Sequence, residues 1–377
     1  MGLLKSKKVN RPEITQRLSQ YGVSQEIIIH LLNFLEQAED VQLHRINPRV
    51  LATRLQLEER QVLDLLAIGM REGLFNLNWE VQCPVCTFQG NYFPSLGRSR
   101  SQIKCVGCNH DFEAHFDEHV QVTFSIHPNV RSLSKNVTNP SDVMVGFLKK
   151  KEIDGEFKPV TAHELLTVQV FRDFFKGETL PEGESFEVRR VAILFTDLAG
   201  STALYTRKGD PTAYDLVREH FTILRQVIDA SRGAIIKTIG DAVMGAFTSE
   251  AQALQAALEA QRAIEYFNRN RNLPDDDRLM LKIGLHAGPS LYVNLNDRLD
   301  YFGSTVNTAA RAEGQSRAGE IVFTDAILNA PGVKELLSGY ELESNEVQLK
   351  GLDGKTRLWR LNFLSSPAAL VKPVSGV

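Results

Sequence analysis

The feature that most constrains this chain is an unbroken apolar run, Val191–Phe195, that stops at a carboxylate, Asp197. Such a run is expected of a strand buried on both faces. The stretch that follows, Leu198-Ala-Gly-Ser-Thr202, is a small-residue loop opening towards a helix. A carboxylate at a strand end can hold Mg²⁺, and free N–H groups at a helix start face an anion. Further on, Gly240-Asp241 separates two apolar runs, Ala234–Ile239 and Ala242–Phe247. That reads as a hairpin with Asp241 at its tip. If the hairpin lies beside the first strand, Asp197 and Asp241 can share a two-metal site. Either aspartate alone would read as a turn residue or a helix cap.

A third stretch changes that balance. Asp300-Tyr-Phe-Gly-Ser-Thr-Val-Asn307-Thr-Ala-Ala-Arg311 puts Asn307 and Arg311 four apart, on one helix face. Together these stretches resemble the catalytic domain of class III nucleotidyl cyclases, over about Val188–Phe363. The resemblance implies a mixed α/β (α+β) fold, a ferredoxin-like α/β sandwich, that turns a nucleoside triphosphate into a 3′,5′-cyclic nucleotide and pyrophosphate. It implies that Asp197 and Asp241, with the Leu198 carbonyl, hold two Mg²⁺ or Mn²⁺ ions per site. The backbone of Ala199, Gly200, Ser201 and Thr202 would cradle the phosphates, with Lys350 on the terminal ones. Arg311 would stabilise charge at the α-phosphate and Asn307 would orient the ribose. Lys237 and Asp300 would read the base. A lysine donates to adenine N1 and an aspartate accepts from its exocyclic amine, whereas guanine mismatches both. ATP is therefore the expected substrate and adenylate cyclase the expected activity; a pyrimidine or guanylate cyclase of the same fold is the alternative. His286 reads as structural. In the family the metal carboxylates come from one subunit, and the base pair, Asn and Arg from the other. This chain carries both sets, so a head-to-tail homodimer would build two composite sites.

The expected domain plan follows from the rest of the chain. Residues 1–13 are expected to be disordered and 14–78 helical, with the cadence of a winged-helix module in Val50–Leu55, Gln61–Met70 and Gly73-Leu-Phe. Residues 79–128 hold Cys83-Pro-Val-Cys86 and Cys105-Val-Gly-Cys108, eighteen residues apart. That spacing brings four thiolates to one structural Zn²⁺ in a zinc ribbon. Residues 129–187 read as a linker and a helix, from Thr161 to about Phe175, that either transmits the state of the amino-terminal region or packs passively. The cyclase domain spans 188–364 and a tail 365–377.

Composition sets the partners. A net charge of -3 gives no overall pull towards nucleic acid or an anionic membrane. In the would-be recognition helix Glu58, Glu59 and Asp64 dilute Arg60, so DNA binding through the winged-helix and ribbon region is an alternative, not the expectation. No apolar run approaches the ~20 residues of a membrane helix, and no apolar core follows the basic Met1–Pro12. Met1–Ser6 fits a loose myristoylation pattern. Cysteines in two close pairs suit a reducing compartment, so a cytoplasmic location is expected. The ligand or protein that would regulate the amino-terminal region has no signature.

Overall fold

A computed structural model describes residues 9–134, 137, 154–351 and 354–365. The expected tail beyond Ser365 and most of the polar stretch before Pro159 lie outside the described residues. The chain divides into two compact units, Met1–Phe186 with Asn296–Leu299, and Glu187–Leu295 with Asp300–Val377.

In the amino-terminal unit four helices come first: α1 (Arg11–Ser19), α2 (Gln25–Gln37), α3 (Pro48–Leu55) and α4 (Glu59–Arg71). The start of α1 falls inside the stretch expected to be disordered. Ser24 accepts the Ile27 N–H to cap α2, and Ile28, Leu31, Leu32 and Leu35 form its buried stripe. Asn47 caps α3 with Pro48 at the first turn. Helix α4 buries Val62, Leu63 and Leu65–Gly69, and Arg60 donates to the Thr167 carbonyl at 3.0 Å. Arg60 of the would-be recognition helix is thus engaged within this unit.

Six strands follow: β1 (Phe75–Val81), β2 (Asn91–Phe93), β3 (Gln102–Lys104), β4 (Asp111–Glu113), β5 (Val120–Ile126) and β6 (Val160–Thr161). β1 pairs with β5 along its whole length, from Phe75↔Ile126 to Val81↔Val120, in a sheet ordered β2-β1-β5-β6. This corrects the domain plan. A boundary at 78/79 cuts β1, and the cysteine-bearing segment is an insertion between two paired strands. The helix expected to run from Thr161 to Phe175 is also two pieces, α5 (Ala162–Leu166) and α6 (Gln169–Phe174). The capping box of Thr161 and Glu164 forms as expected. However, α6 lays Phe171 edge-on to Trp79 and Phe174 edge-on to Tyr21, within this unit. The break falls at Thr167-Val168.

The carboxy-terminal unit is built on β7 (Ser185–Leu198), α7 (Ser201–Lys208), α8 (Asp210–Ala230), β8 (Ala234–Ile239), β9 (Ala242–Phe247), α9 (Glu250–Asn270) and β10 (Leu281–Leu295). Then come β11 (Arg298–Phe302), α10 (Ser304–Glu313), β12 (Glu320–Thr324), α11 (Asp325–Leu328), α12 (Val333–Leu336), β13 (Glu343–Val347) and β14 (Thr356–Asn362). The sheet order is β13-β14-β12-β10-β7-β9-β8, with β11 on β10. The inner path β10-β7-β9-β8 is the ferredoxin-like 4-1-3-2 order. One face carries Ala192, Leu194, Val243, Phe247, Leu281, Ile283 and Leu285 against Leu224 and Ile228 of α8 and Leu254 and Ile264 of α9. The other face packs α10 on β10 so closely that a Cβ at Gly284 would stand 2.0 Å from the Glu313 nitrogen. β10 does not end at the Gly288-Pro289 punctuation. It runs on to Leu295 and returns as β11 through Asn296 and Asp297, both at positive φ (53° and 56°), as a two-residue hairpin turn needs.

Candidate functional site

The β7–β9 pairing brings the two carboxylates to neighbouring strand ends. Thr196 pairs with Val243, and one step further towards the turn Asp197 lies beside Ala242 and Leu198 beside Asp241. Gly240, at φ 63°, makes the turn that brings Asp241 back. Both are partly buried. The oxygen Oδ2 of Asp241 has no hydrogen-bond partner among the described residues. Two hard-oxygen ligands at neighbouring strand ends, one with unused acceptor capacity, fit a divalent cation such as Mg²⁺ or Mn²⁺.

Two residues that sequence reading missed complete the surroundings of Asp197. Lys282 Nζ lies 3.2 Å from Asp197 Oδ2 and 2.6 Å from Glu313 Oε1. Burial pulls the Lys282 ammonium down, but the Glu313 and Asp197 carboxylates outweigh it and raise it above its ordinary value. Glu313 is also raised, first by burial and then by the charges of Asp197 and Asp241, with Lys282 opposing. The signal was a lysine inside the apolar run Leu279–Leu285, where a charge needs a partner. Asp241 has a different neighbour. His220 on α8 is fully buried, and the Asp241 charge acts on it. Burial pushes its pKa down to about 4, so the ring is neutral at neutral pH.

Ala199, expected in the phosphate cradle, donates its N–H to the Met280 carbonyl at 2.8 Å. That corrects its part in the cradle. Gly200, at φ 73°, precedes Ser201 and Thr202 at the start of α7, where backbone N–H groups lack intrahelical acceptors. Lys237 and Asp300 meet: Nζ and Oδ2 are 2.5 Å apart, and Asp300 Oδ1 accepts the Tyr301 N–H. Asn307 and Arg311 are both exposed on α10. Lys350 is exposed beyond β13 and before β14. Since Thr324 pairs with Leu358 and Glu320 with Asn362, the start of β14 lies at the far end of the sheet from Lys282 and Asp197. Within one chain Lys350 is therefore apart from the carboxylates. His286 Nδ1 is 2.7 Å from Thr324 Oγ1, and burial lowers its pKa to about 4; it is a packed residue.

In the other unit the four cysteines converge. Cys83 and Cys108 sulfurs are 3.7 Å apart, Cys86 and Cys105 3.6 Å, and all four ligand atoms lie within 4.8 Å of one another. A zinc tetrahedron with Zn–S near 2.3 Å has edges of about 3.8 Å. A disulfide would need about 2.05 Å. The two turns are copies: Thr87 and Asn109, each following the second cysteine, have positive φ (59° and 64°), and each donates to the carbonyl of the first cysteine. The Cys108 N–H, with that of Gly107, lowers the Cys105 thiol to about 6 despite its burial. The His110 N–H pulls Cys108 down, but the sulfurs of Cys86, Cys83 and Cys105 carry it up to about 12. His115, Glu118 and His119 also cluster. There the His115 N–H donates to Nδ1 of His119 at 3.0 Å, which puts the proton on Nε2, the nitrogen 3.8 Å from Glu118. A protonated nitrogen is no ligand.

Comparison with known proteins bears on both units. Residues 184–362 match the family described as "Adenylate and Guanylate cyclase catalytic domain". Residues 13–145 match a "Family of unknown function (DUF5939)". Among relatives, "Putative adenylate cyclase 3" of Rhizobium meliloti is 27% identical over 180 residues, 47% of this chain and 29% of that protein. "Atrial natriuretic peptide receptor 2" of Bos taurus is 30% identical over 221 residues, 55% of this chain and 20% of that protein. The chain thus spans under a third of either relative. Among solved structures, the adenylyl cyclase CyaB from P. aeruginosa is 19% identical with a TM-score of 0.43, over 52% of this chain and 99% of that one. Residues 184–362, most of the carboxy-terminal unit, thus match an adenylate/guanylate cyclase catalytic domain.

Proposed function

We propose that this domain is an adenylate cyclase that converts ATP to 3′,5′-cyclic AMP and pyrophosphate as a homodimer. The observation that carries the reading is the Lys237–Asp300 contact at 2.5 Å. It sets one donor and one acceptor side by side, the complement of adenine N1 and its amine. A guanine there would leave both protein groups mismatched, a strong basis for rejection. Asp197 and Asp241, with the Leu198 carbonyl, would hold two Mg²⁺ or Mn²⁺ ions. Those ions would make the ribose 3′ oxygen more acidic and neutralise the leaving pyrophosphate. Gly200, Ser201 and Thr202 orient the phosphate chain with backbone N–H groups. Arg311 places positive charge at the α-phosphate, and Asn307 fixes the ribose.

Several features support two chains per site. Asn307 and Arg311 are exposed on their own chain, and so are Ile239 and Phe302, apolar side chains 56% and 59% exposed. The far placement of Lys350 fits a lysine that serves the partner's phosphates. The cysteine cluster would hold one structural Zn²⁺, since four thiolates leave no open position. The amino-terminal unit would then be a regulatory region. No helix among the described residues is long and apolar enough to cross a membrane, and we place the protein in the cytoplasm.

The test is turnover of ATP, GTP, CTP and UTP with Mg²⁺ and with Mn²⁺, products read by mass spectrometry. Cyclic AMP should dominate. A dominant cyclic GMP or pyrimidine product would replace the base assignment, and no product from any nucleotide would overturn the activity.

A further inference from the structure

We propose that His220, together with Thr196, is a positioning residue for the metal-binding carboxylate Asp241, acting on its Oδ2 from beneath the sheet. This rests on the two-metal reading above and deepens it.

Three groups on one face carry the argument. Thr196 and His220 both have 0% exposure. Thr196 Oγ1, both ring nitrogens of His220 and Asp241 Oδ2 are buried without a hydrogen-bond partner among the described residues. Strand alternation and the register put them on one side of the sheet, where the Asp241 charge acts on His220. Thr196 lies between Leu194 and Leu198, whose side chains enter the core under α8. Its cross-strand partner is Val243, also in that core, and Asp241 sits diagonally two residues on. His220 is on α8 between Val217 and Leu224, which belong to the same core. At most, one ring nitrogen reaches the Val217 carbonyl one helical turn back, which leaves the other without a partner among the described residues.

A fully buried imidazole is a poor packing element. Leucine would fill that place without desolvating two nitrogens. A metal-binding carboxylate, in contrast, needs its second oxygen held so that the first keeps its direction, and outer partners of this kind commonly set affinity. The imidazole N–H can act on Oδ2 directly or through one water, with the Thr196 hydroxyl as the third member.

The experiment uses the full chain and Mn²⁺ itself. Free Mn²⁺ is followed by electron paramagnetic resonance, alongside thermal melting and turnover. His220→Leu should melt at or above the wild type yet bind Mn²⁺ about 10-fold or more weakly. His220→Asn places an amide near Nδ1 and His220→Gln near Nε2. One of them should bind Mn²⁺ within about 3-fold of wild type, well above the Leu variant, while melting lower. A packing role predicts the same melting order but Mn²⁺ binding that follows it, weakest in the two amide variants. Mn²⁺ binding unchanged in His220→Leu overturns the proposal. Should that variant not fold, Thr196→Val keeps the shape and removes the hydroxyl; unchanged Mn²⁺ binding there overturns it equally. A wild type that binds no Mn²⁺ and makes no cyclic nucleotide sinks the two-metal reading itself. Wild-type binding with indifferent variants sinks this inference alone.

Discussion

The two ligand clusters of this chain differ in what occupies their donors when no ion is considered. At the cysteines, sulfur faces sulfur, and the surrounding backbone already donates to Cys105 from Gly107 and Cys108. At the carboxylates, the protein supplies its own cation: Lys282 lies against Asp197 and Glu313. The first arrangement has four soft ligands converging on one point. The second has hard ligands and a substitute that can give way. A closed thiolate site suits an ion that stays and holds the chain together. A carboxylate pair balanced by a lysine suits ions that arrive with a nucleotide and leave with product.

The largest effect should separate the two kinds of site. Asp197→Ala removes a ligand and no core, so cyclisation should fall by more than the roughly 100-fold typical of losing an outer partner, with melting little changed. Arg311→Ala should be similarly inactive. Mixed in equal amounts, the two should recover roughly one quarter of wild-type site activity, because half the dimers are mixed and each has one intact site. No recovery despite proven subunit exchange would place the whole site within one chain. The cysteine cluster should answer in the opposite way. Cys86→Ser should lower the melting of the amino-terminal unit by roughly 6–12 °C, the equivalent of ~3 kcal/mol in a unit of this size. Zinc, read by elemental analysis, should fall with it. A zinc-free wild type would refute the assignment.

How much of this was legible depended on distance along the chain. The hairpin of Ala234–Ile239 and Ala242–Phe247 has the strand bounds its apolar runs announce, because both strands and the Gly240 turn are local. The CxxC pairs were legible for the same reason. The pairing of β1 with β5 was not. It joins residues 39 or more apart, from Val81↔Val120 outward, and a local pattern cannot tell an insertion from a separate domain. Within the candidate site, Asp197, Asp241, Lys237 and Asp300 are singled out by motif. Lys282, Glu313 and His220 stand in no motif. They become visible only when β10, α10 and α8 are laid on the sheet, although a lysine within a buried run was a warning.

Acid should act on both units, through buried His220 and His286 in the carboxy-terminal one and His163 in the amino-terminal one. Burial drops the His163 pKa to about 3 from an ordinary 6.5, so the fold keeps that imidazole neutral. Below pH 6.5 the unfolded chain takes up a proton that the folded one refuses. Stability from this group is therefore complete above that pH and is lost as pH falls towards 3, at up to about 1.4 kcal/mol per pH unit. Denaturant unfolding at pH 6.5 and 5.0 should show this slope in the amino-terminal unit, and His163→Leu should flatten it. An equal slope in that variant would assign the acid sensitivity elsewhere.

The smallest effect decides what Lys282 does. Its ammonium sits between Asp197 and Glu313, and a divalent ion approaching Asp197 must compete with it. Lys282→Met keeps the length and removes the charge. Glu313, already raised by burial and by its acidic neighbours, then takes up a proton more readily and adds little repulsion. Asp197 is freed, so Mn²⁺ should bind about 2–5-fold tighter, or about 0.4–1 kcal/mol, in keeping with a partly exposed pair. Glu313→Gln should do the opposite. With its stronger partner gone, Lys282 leans wholly on Asp197 and Mn²⁺ binding weakens. If Lys282→Met instead weakens Mn²⁺ binding, the lysine is holding Asp197 in ligand geometry rather than standing in for the ion. The carboxylate site would then be as preset as the cysteine cluster, and the contrast between them would fail.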